Sequence, residues 1–124
     1  LKTDLLDVFL YCCDEKLDQL NIDWDEKKSM CIVLCSNGYP DKYEKHTLIE
    51  NISKIKTTKD DFCFHAGTNI NENKIFAIGG RVLNFVSLSD NFSEARKKII
   101  SKLKELNWTH GFYRKDIGHK VIDQ

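Results

Sequence analysis

The chain has 124 residues with 19 basic and 19 acidic side chains, a formal net charge of zero. That length sets one domain with a real core, and the charge balance argues against nucleic acid as a partner. No apolar run reaches transmembrane length and no signal peptide opens the chain, so no membrane partner and a cytoplasmic location are expected.

Thr3 can cap an opening helix whose first turn holds Asp4 and Asp7, where negative charge meets the positive end of the helix dipole. Leu6, Phe9, Leu10, Cys13, Leu17 and Leu20 recur at helical spacing and give it one apolar face, which needs a body to pack on. Residues 1–26 carry two bases against eight acids, a net of −6. Ile22 and Trp24 alternate with polar residues over Asn21 to Glu26, the pattern of a short half-buried strand. Met30 to Cys35 is a continuous apolar run, predicted as a central strand covered on both faces. Ser36-Asn37-Gly38-Tyr39-Pro40 ends it, and an exposed loop follows to Lys45.

Leu48, Ile49, Ile52 and Ile55 have the spacing of a short helix. Phe62 to Thr68, Lys74 to Ile78 and Val82 to Leu88 read as three strands, the first two joined around Asn71-Glu72-Asn73. Asn91 with Glu94 forms a capping box for an amphipathic helix through Phe92, Ala95, Ile99, Leu103 and Leu106. The five cysteines, with Cys31, Cys35 and Cys63 in apolar runs, read as buried small hydrophobes of a reducing compartment. A metal site is not expected, because Cys31 and Cys35 on one strand would stand about 13 Å apart. The predicted fold is α+β: a small, mainly antiparallel sheet or partial barrel of about five or six strands with two main helices packed against it.

Two stretches carry candidate binding chemistry. Gly79-Gly80-Arg81 opens the last strand. Paired glycines there mark either a β-bulge or a place where something approaches the backbone closely, and the adjacent guanidinium suits a phosphate or carboxylate. After Trp108, the tail His110 to His119 holds Gly111, Arg114, Lys115, Gly118 and His119. It reads either as a pinned tail with solvated bases or as an anion-binding segment. Residues 91–124 carry eight bases against four acids, a net of +4. His65, at the end of an apolar strand, reads as a structural histidine.

The run from Cys31 to Val121 resembles the C-terminal domain of the phosphoribosylamine–glycine ligase family. The matching blocks are Ser36-Asn37-Gly38-Tyr39-Pro40 with Tyr43-Glu44-Lys45, then Phe64-His65-Ala66-Gly67-Thr68, Gly79-Gly80-Arg81-Val82-Leu83, Glu94-Ala95-Arg96 and Tyr113-Arg114-Lys115-Asp116-Ile117-Gly118-His119. One departure is His46, where the family usually has Gly, which puts the conformation of that loop in question.

The resemblance implies an ATP-grasp ligase that joins 5-phosphoribosylamine and glycine, with ATP and Mg2+ or Mn2+ held upstream. The N-terminal and ATP-grasp domains of the same polypeptide are then the partners, residues 1–20 a helix trailing from the ATP-grasp module, and residues 21–124 the C-terminal domain. The start at Leu1 without Met fits a fragment or processed chain. The expected piece binds no nucleotide or metal, holds no catalytic residue and is inactive alone. Related ligases imply substrate-phosphate binding at Arg114 and Lys115, with His119 and Arg81 as further candidates and Gly79 and Gly80 as points of backbone approach. Asp116 would orient one of the bases by a salt bridge. The alternative is a packing and interdomain-contact domain with no ligand role.

Overall fold

The computed structural model describes residues 1–122. Seven short strands form two antiparallel sheets: β1 (Lys28–Ser36), β2 (Thr47–Leu48), β3 (Asp61–His65), β4 (Thr68–Asn71), β5 (Lys74–Ala77), β6 (Arg81–Ser89) and β7 (Gly111–Phe112). The first sheet has the order β3-β6-β1-β7 and the second β2-β5-β4. The α+β antiparallel architecture is as expected from the sequence. The helices are α1 (Leu5–Cys13), α2 (Phe92–Leu106) and the single turn α3 (His119–Ile122).

α2 begins where the Asn91 side chain accepts the Glu94 N–H at 2.9 Å, and ends at Asn107 in the left-handed region, φ 45°. Its buried face of Ala95, Ile99, Leu103 and Leu106 lies on one side of β1 and β6, against Ile32, Leu34, Leu83 and Phe85. Burying each Leu, Ile or Phe there contributes about 1.5–3 kcal/mol. Asp61 is sealed into the same region. It accepts from Ser87 Oγ at 2.7 Å and Thr58 Oγ1 at 3.0 Å, with Lys102 Nζ of α2 at 3.9 Å. Burial pushes its carboxyl up, and these donors and the Lys102 charge outweigh that, so it ionises below the ordinary carboxylate range.

Several local expectations are corrected. α1 has no buried residue and does not pack on the sheet: Leu6, Phe9 and Leu10 are each more than half exposed. Asn21 to Glu26 is not a strand, and Trp24 is 65% exposed. β1 is central but covered on one face only: Met30, Ile32, Leu34 and Ser36 are buried, Val33 and Cys35 are half-buried, and Cys31 is exposed. Cys12 and Cys13 are exposed too, so the cysteines are not buried core residues. The helix predicted at Leu48 to Ile55 is instead β2 and one 3-10 turn at Ile52–Lys54, since Thr47 and Leu48 pair with Ala77 and Phe76. The single strand predicted over Phe62 to Thr68 breaks at Ala66-Gly67, where the chain changes sheets. The new strand β4 then turns into β5 through Glu72 and Asn73, both at positive φ.

Candidate functional site

The tail runs along the free side of β1 beyond β7. Phe112 pairs with Cys35 and Gly111 with Ser36, which sets its start. Gly111 has no room for a side chain, since a Cβ would sit 2.2 Å from the Trp108 ring. Further on, Ile117 and Tyr113 pack against the core. Gly118, at φ +86°, lies so close to Met30 that a Cβ would come within 2.5 Å of its methyl carbon.

α2 holds this tail through Arg96. Its Nε donates to the Ile117 carbonyl at 3.1 Å, and a second guanidinium N–H donates to the Lys115 carbonyl. Arg96 stands in the sequence as part of the Glu94-Ala95-Arg96 block. Nothing in its helical position signalled that it reaches 21 residues along the chain.

Arg114 forms a two-pronged pair with Asp116, with Nε 3.0 Å from Oδ1. This hydrogen bond raises the guanidinium pKa and lowers that of the carboxyl. The pair is open to water, at 70% and 51% side-chain exposure, so it fixes direction rather than adding stability. A guanidinium has about five N–H donors, of which Asp116 engages one edge. His119 Nδ1 lies 2.9 Å from the Asp116 carbonyl oxygen.

Arg114, Asp116, His119 and Lys120 border a shallow cavity of about 200 Å3. Two of the sequence-predicted binding residues, Arg114 and His119, thus meet there. Lys120, which the sequence reading missed, joins them through the single turn of α3. Lys115 is exposed outside this cavity and contributes its carbonyl to Arg96. On its other side Arg114 borders an apolar groove of about 350 Å3 floored by Cys31, Val33 and Cys35 and walled by Tyr39 and Phe112.

Arg81 opens β6 opposite Cys35, and its charge lowers the Cys35 thiol pKa while burial, the larger effect, raises it. It borders neither cavity and ion-pairs with no carboxylate among the described residues. The register shift of a β-bulge falls between Leu34 and Cys35 of β1, where β6 has Val82 in excess. The two glycines before it serve close packing within the chain. A Cβ on Gly79 would lie 2.9 Å from the Gly67 Cα, and one on Gly80 2.2 Å from the Tyr39 ring. Ser36 ties this corner by donating its N–H to Gly80 O and its hydroxyl to Gly79 O, each at 2.8 Å.

Tyr39 itself is positioned by the loop after β1. Asn37 is tethered through its N–H to His110 O at 2.9 Å and through Nδ2 to Thr109 O at 3.1 Å. His46 closes the loop at φ 60° and donates its N–H to Ala77 O at 2.7 Å. The loop therefore keeps a backbone that glycine would adopt freely. His65 is exposed, with Nδ1 2.9 Å from Thr68 Oγ1.

Fold and site together define a class: an antiparallel α+β domain that presents a basic tail beside a sheet edge. Among the described residues, His, Cys, Asp and Glu nowhere gather in threes as metal ligands would. A family model described as phosphoribosylglycinamide synthetase, C domain, matches residues 29–120. The chain belongs to that family. It is 36% identical over its whole length to the chloroplastic phosphoribosylamine–glycine ligase of Arabidopsis thaliana, of which it covers 24%. The phosphoribosylamine–glycine ligase of Fusobacterium nucleatum is 37% identical over 95% of the chain and 28% of its own length. A bifunctional purine biosynthetic protein of Dictyostelium discoideum is 37% identical over 99% of the chain, which covers 15% of it. The chain thus spans between 15 and 28% of the length of these relatives. The crystal structure of phosphoribosylamine–glycine ligase from Thermotoga maritima shares the fold, with a TM-score of 0.64 over 87% of this chain and 27% of that one at 24% identity.

Proposed function

We propose that this chain is the C-terminal domain of a phosphoribosylamine–glycine ligase, an enzyme of purine biosynthesis that joins 5-phosphoribosylamine to glycine with ATP, releasing ADP and phosphate. The observation that carries the reading is the match of nearly the entire chain, at 36 and 37% identity, to ligases of that name from a plant and a bacterium. ATP and Mg2+ or Mn2+ belong in this reading to the N-terminal and ATP-grasp domains of the same polypeptide. Residues 1–20, of which Leu5–Cys13 are helical rather than the whole stretch, form the segment trailing from that module, and residues 21–124 form the domain proper. Cytoplasm is the proposed location, supported by five free cysteines. No described helix is long and apolar enough to cross a membrane.

The part of the chemistry assigned to this chain is binding. The 5-phosphate of the acceptor does not react, so it can serve as a handle that brings the amine to the activated glycine. Arg114 is the main donor, aimed by Asp116 and by the anchoring of its tail segment through Arg96. His119 and Lys120 stand beside it, and Lys115 and Arg81 supply further positive charge around the tail and sheet. A charge-assisted hydrogen bond to the phosphate is worth about 1.5–3 kcal/mol.

The test is to assay the full polypeptide encoded by the gene for ADP release that requires both glycine and phosphoribosylamine. A full-length protein that releases ADP with neither substrate requirement, or makes no glycinamide product, would overturn the assignment.

A further inference from the structure

The side chains of the larger sheet that point away from α2 form a second face with no roof. Cross-strand pairing sets Phe62, Val86 and Cys31 in one row and Phe64, Asn84 and Val33 in the next, on a surface three strands wide. None of the six is buried, and none belongs to the core or to the side chains packed against it. The rings of Phe62 and Phe64 stack with centroids 5.8 Å apart, and Phe64 is 54% exposed. Beyond Val33 the face continues into the apolar groove under Tyr39 and Phe112. A surface of this kind, apolar except for Asn84 at the centre of the second row, marks a docking interface.

We infer that this outer sheet face is covered by an apolar surface of the polypeptide that precedes this chain in the full-length protein. The inference rests on the reading of the chain as one domain of a longer ligase. Two observations favour that occupant over a second copy of the chain. The matched relatives have 76 and 72% of their length outside the region shared with this chain, enough for whole domains to abut it. The other unpartnered apolar surface, Leu6, Phe9 and Leu10 of α1, lies at the end of the chain that such domains would join. A domain with two open apolar surfaces, one at its junction with upstream sequence, has the form of a piece cut from a larger packed unit.

Cys31 reports directly on this face, since it is exposed in the domain and lies in the first row. The experiment is alkylation of the native full-length polypeptide with iodoacetamide, with labelling at Cys31 followed by peptide mass spectrometry. A Phe64→Asp variant places a charge on the face at a side chain the domain leaves half exposed. Circular dichroism of both proteins checks that they remain folded. Cys31 is expected to react at least about tenfold faster in the variant than in the wild-type polypeptide, because thiol reactivity follows access. Equal rates in two folded proteins would overturn the inference while leaving the ligase assignment to its own assay. So would wild-type protection that disappears on dilution together with a dimer seen by light scattering, since a second copy would then be the cover. Phe64→Asp unfolding would move the comparison to Asn84→Asp, a half-buried polar position in the same row, with the same expected direction even though a neighbouring carboxylate by itself slows a thiol.

Discussion

At the scale of single residues, the conformation of His46 carries a measurable consequence. With a φ of 60° it sits where a Cβ crowds the backbone, at a cost of roughly 1–2 kcal/mol for an L residue. Glycine removes that cost but loses more chain entropy on folding, by about 0.5–1 kcal/mol. His46→Gly is therefore expected to be neutral to stabilising, by up to about 1 kcal/mol, and His46→Val to be destabilising by about 1–2 kcal/mol. Urea midpoints of the two variants check this, and a Val variant as stable as wild type would show that the position carries no strain. Arg114 carries the functional counterpart. In the full-length enzyme, Arg114→Ala is expected to raise the KM for phosphoribosylamine roughly tenfold or more while leaving the KM for ATP unchanged. An unchanged KM for phosphoribosylamine would leave Arg114 only the job of pairing with Asp116. Arg96→Ala tests positioning through the same readout. Freeing the Lys115 and Ile117 carbonyls from α2 should raise that KM with a smaller effect on kcat, whereas a role in packing alone would lower thermal stability and leave the KM where it was.

At the scale of elements, Asp61 joins β3, β6 and α2 through one carboxylate. Its folded-state pKa is depressed, so the native state holds fewer protons than the unfolded chain between the two values, and stability rises with pH there. The contribution is complete above the ordinary carboxyl value of about 3.9 and is lost as pH falls through the lowered folded value. Asp61→Asn is expected to cost about 1–3 kcal/mol at neutral pH and to flatten the acid limb of the stability curve. Urea denaturation from pH 7 down to pH 2 checks both, and an unchanged acid limb would place the acid sensitivity elsewhere. The same element view explains what could be read from the sequence. α2 was legible through its cap and its apolar spacing because both signals are local and helical. β6 and β1 were legible as apolar runs, but coverage on both faces could not follow from a run of apolar residues whose outer half faces away from α2. β2 was misread as helix because Leu48, Ile49 and Ile52 have helical spacing, and only the pairing with β5, more than 25 residues away, decides against it. In the site, the Arg114–Asp116 pair was legible because its partners are only two residues apart in sequence. The tether from Arg96, and the filling of the space at Gly79 and Gly80 by Gly67 and Tyr39, depend on contacts between distant segments that no local pattern encodes.

At the scale of the whole molecule, binding and chemistry separate. The groups gathered around Arg114 can hold an anion by charge and hydrogen bonding, but transfer of a phosphoryl group needs donors arranged around a triphosphate as well as an acceptor. The cavity beside Arg114 is about 200 Å3 and open, bordered by Arg114, His119 and Lys120, by the single carboxylate of Asp116, and by the apolar Ile117 and Val121. It has room for one phosphate and offers no set of groups to stabilise a leaving diphosphate. The purified 124-residue chain is therefore expected to show no ATP turnover dependent on glycine, while the full-length enzyme shows it. Circular dichroism is the control that the chain is folded when assayed. Mixing the chain with a full-length enzyme truncated before Leu1 extends the test. If the outer sheet face and α1 are the surfaces by which this domain joins the rest, recovery of activity in the mixture should saturate with added chain, and Phe64→Asp in the chain should weaken that recovery. Glycine-dependent turnover by the folded chain alone would place reacting groups within these residues and defeat the division of labour proposed for them.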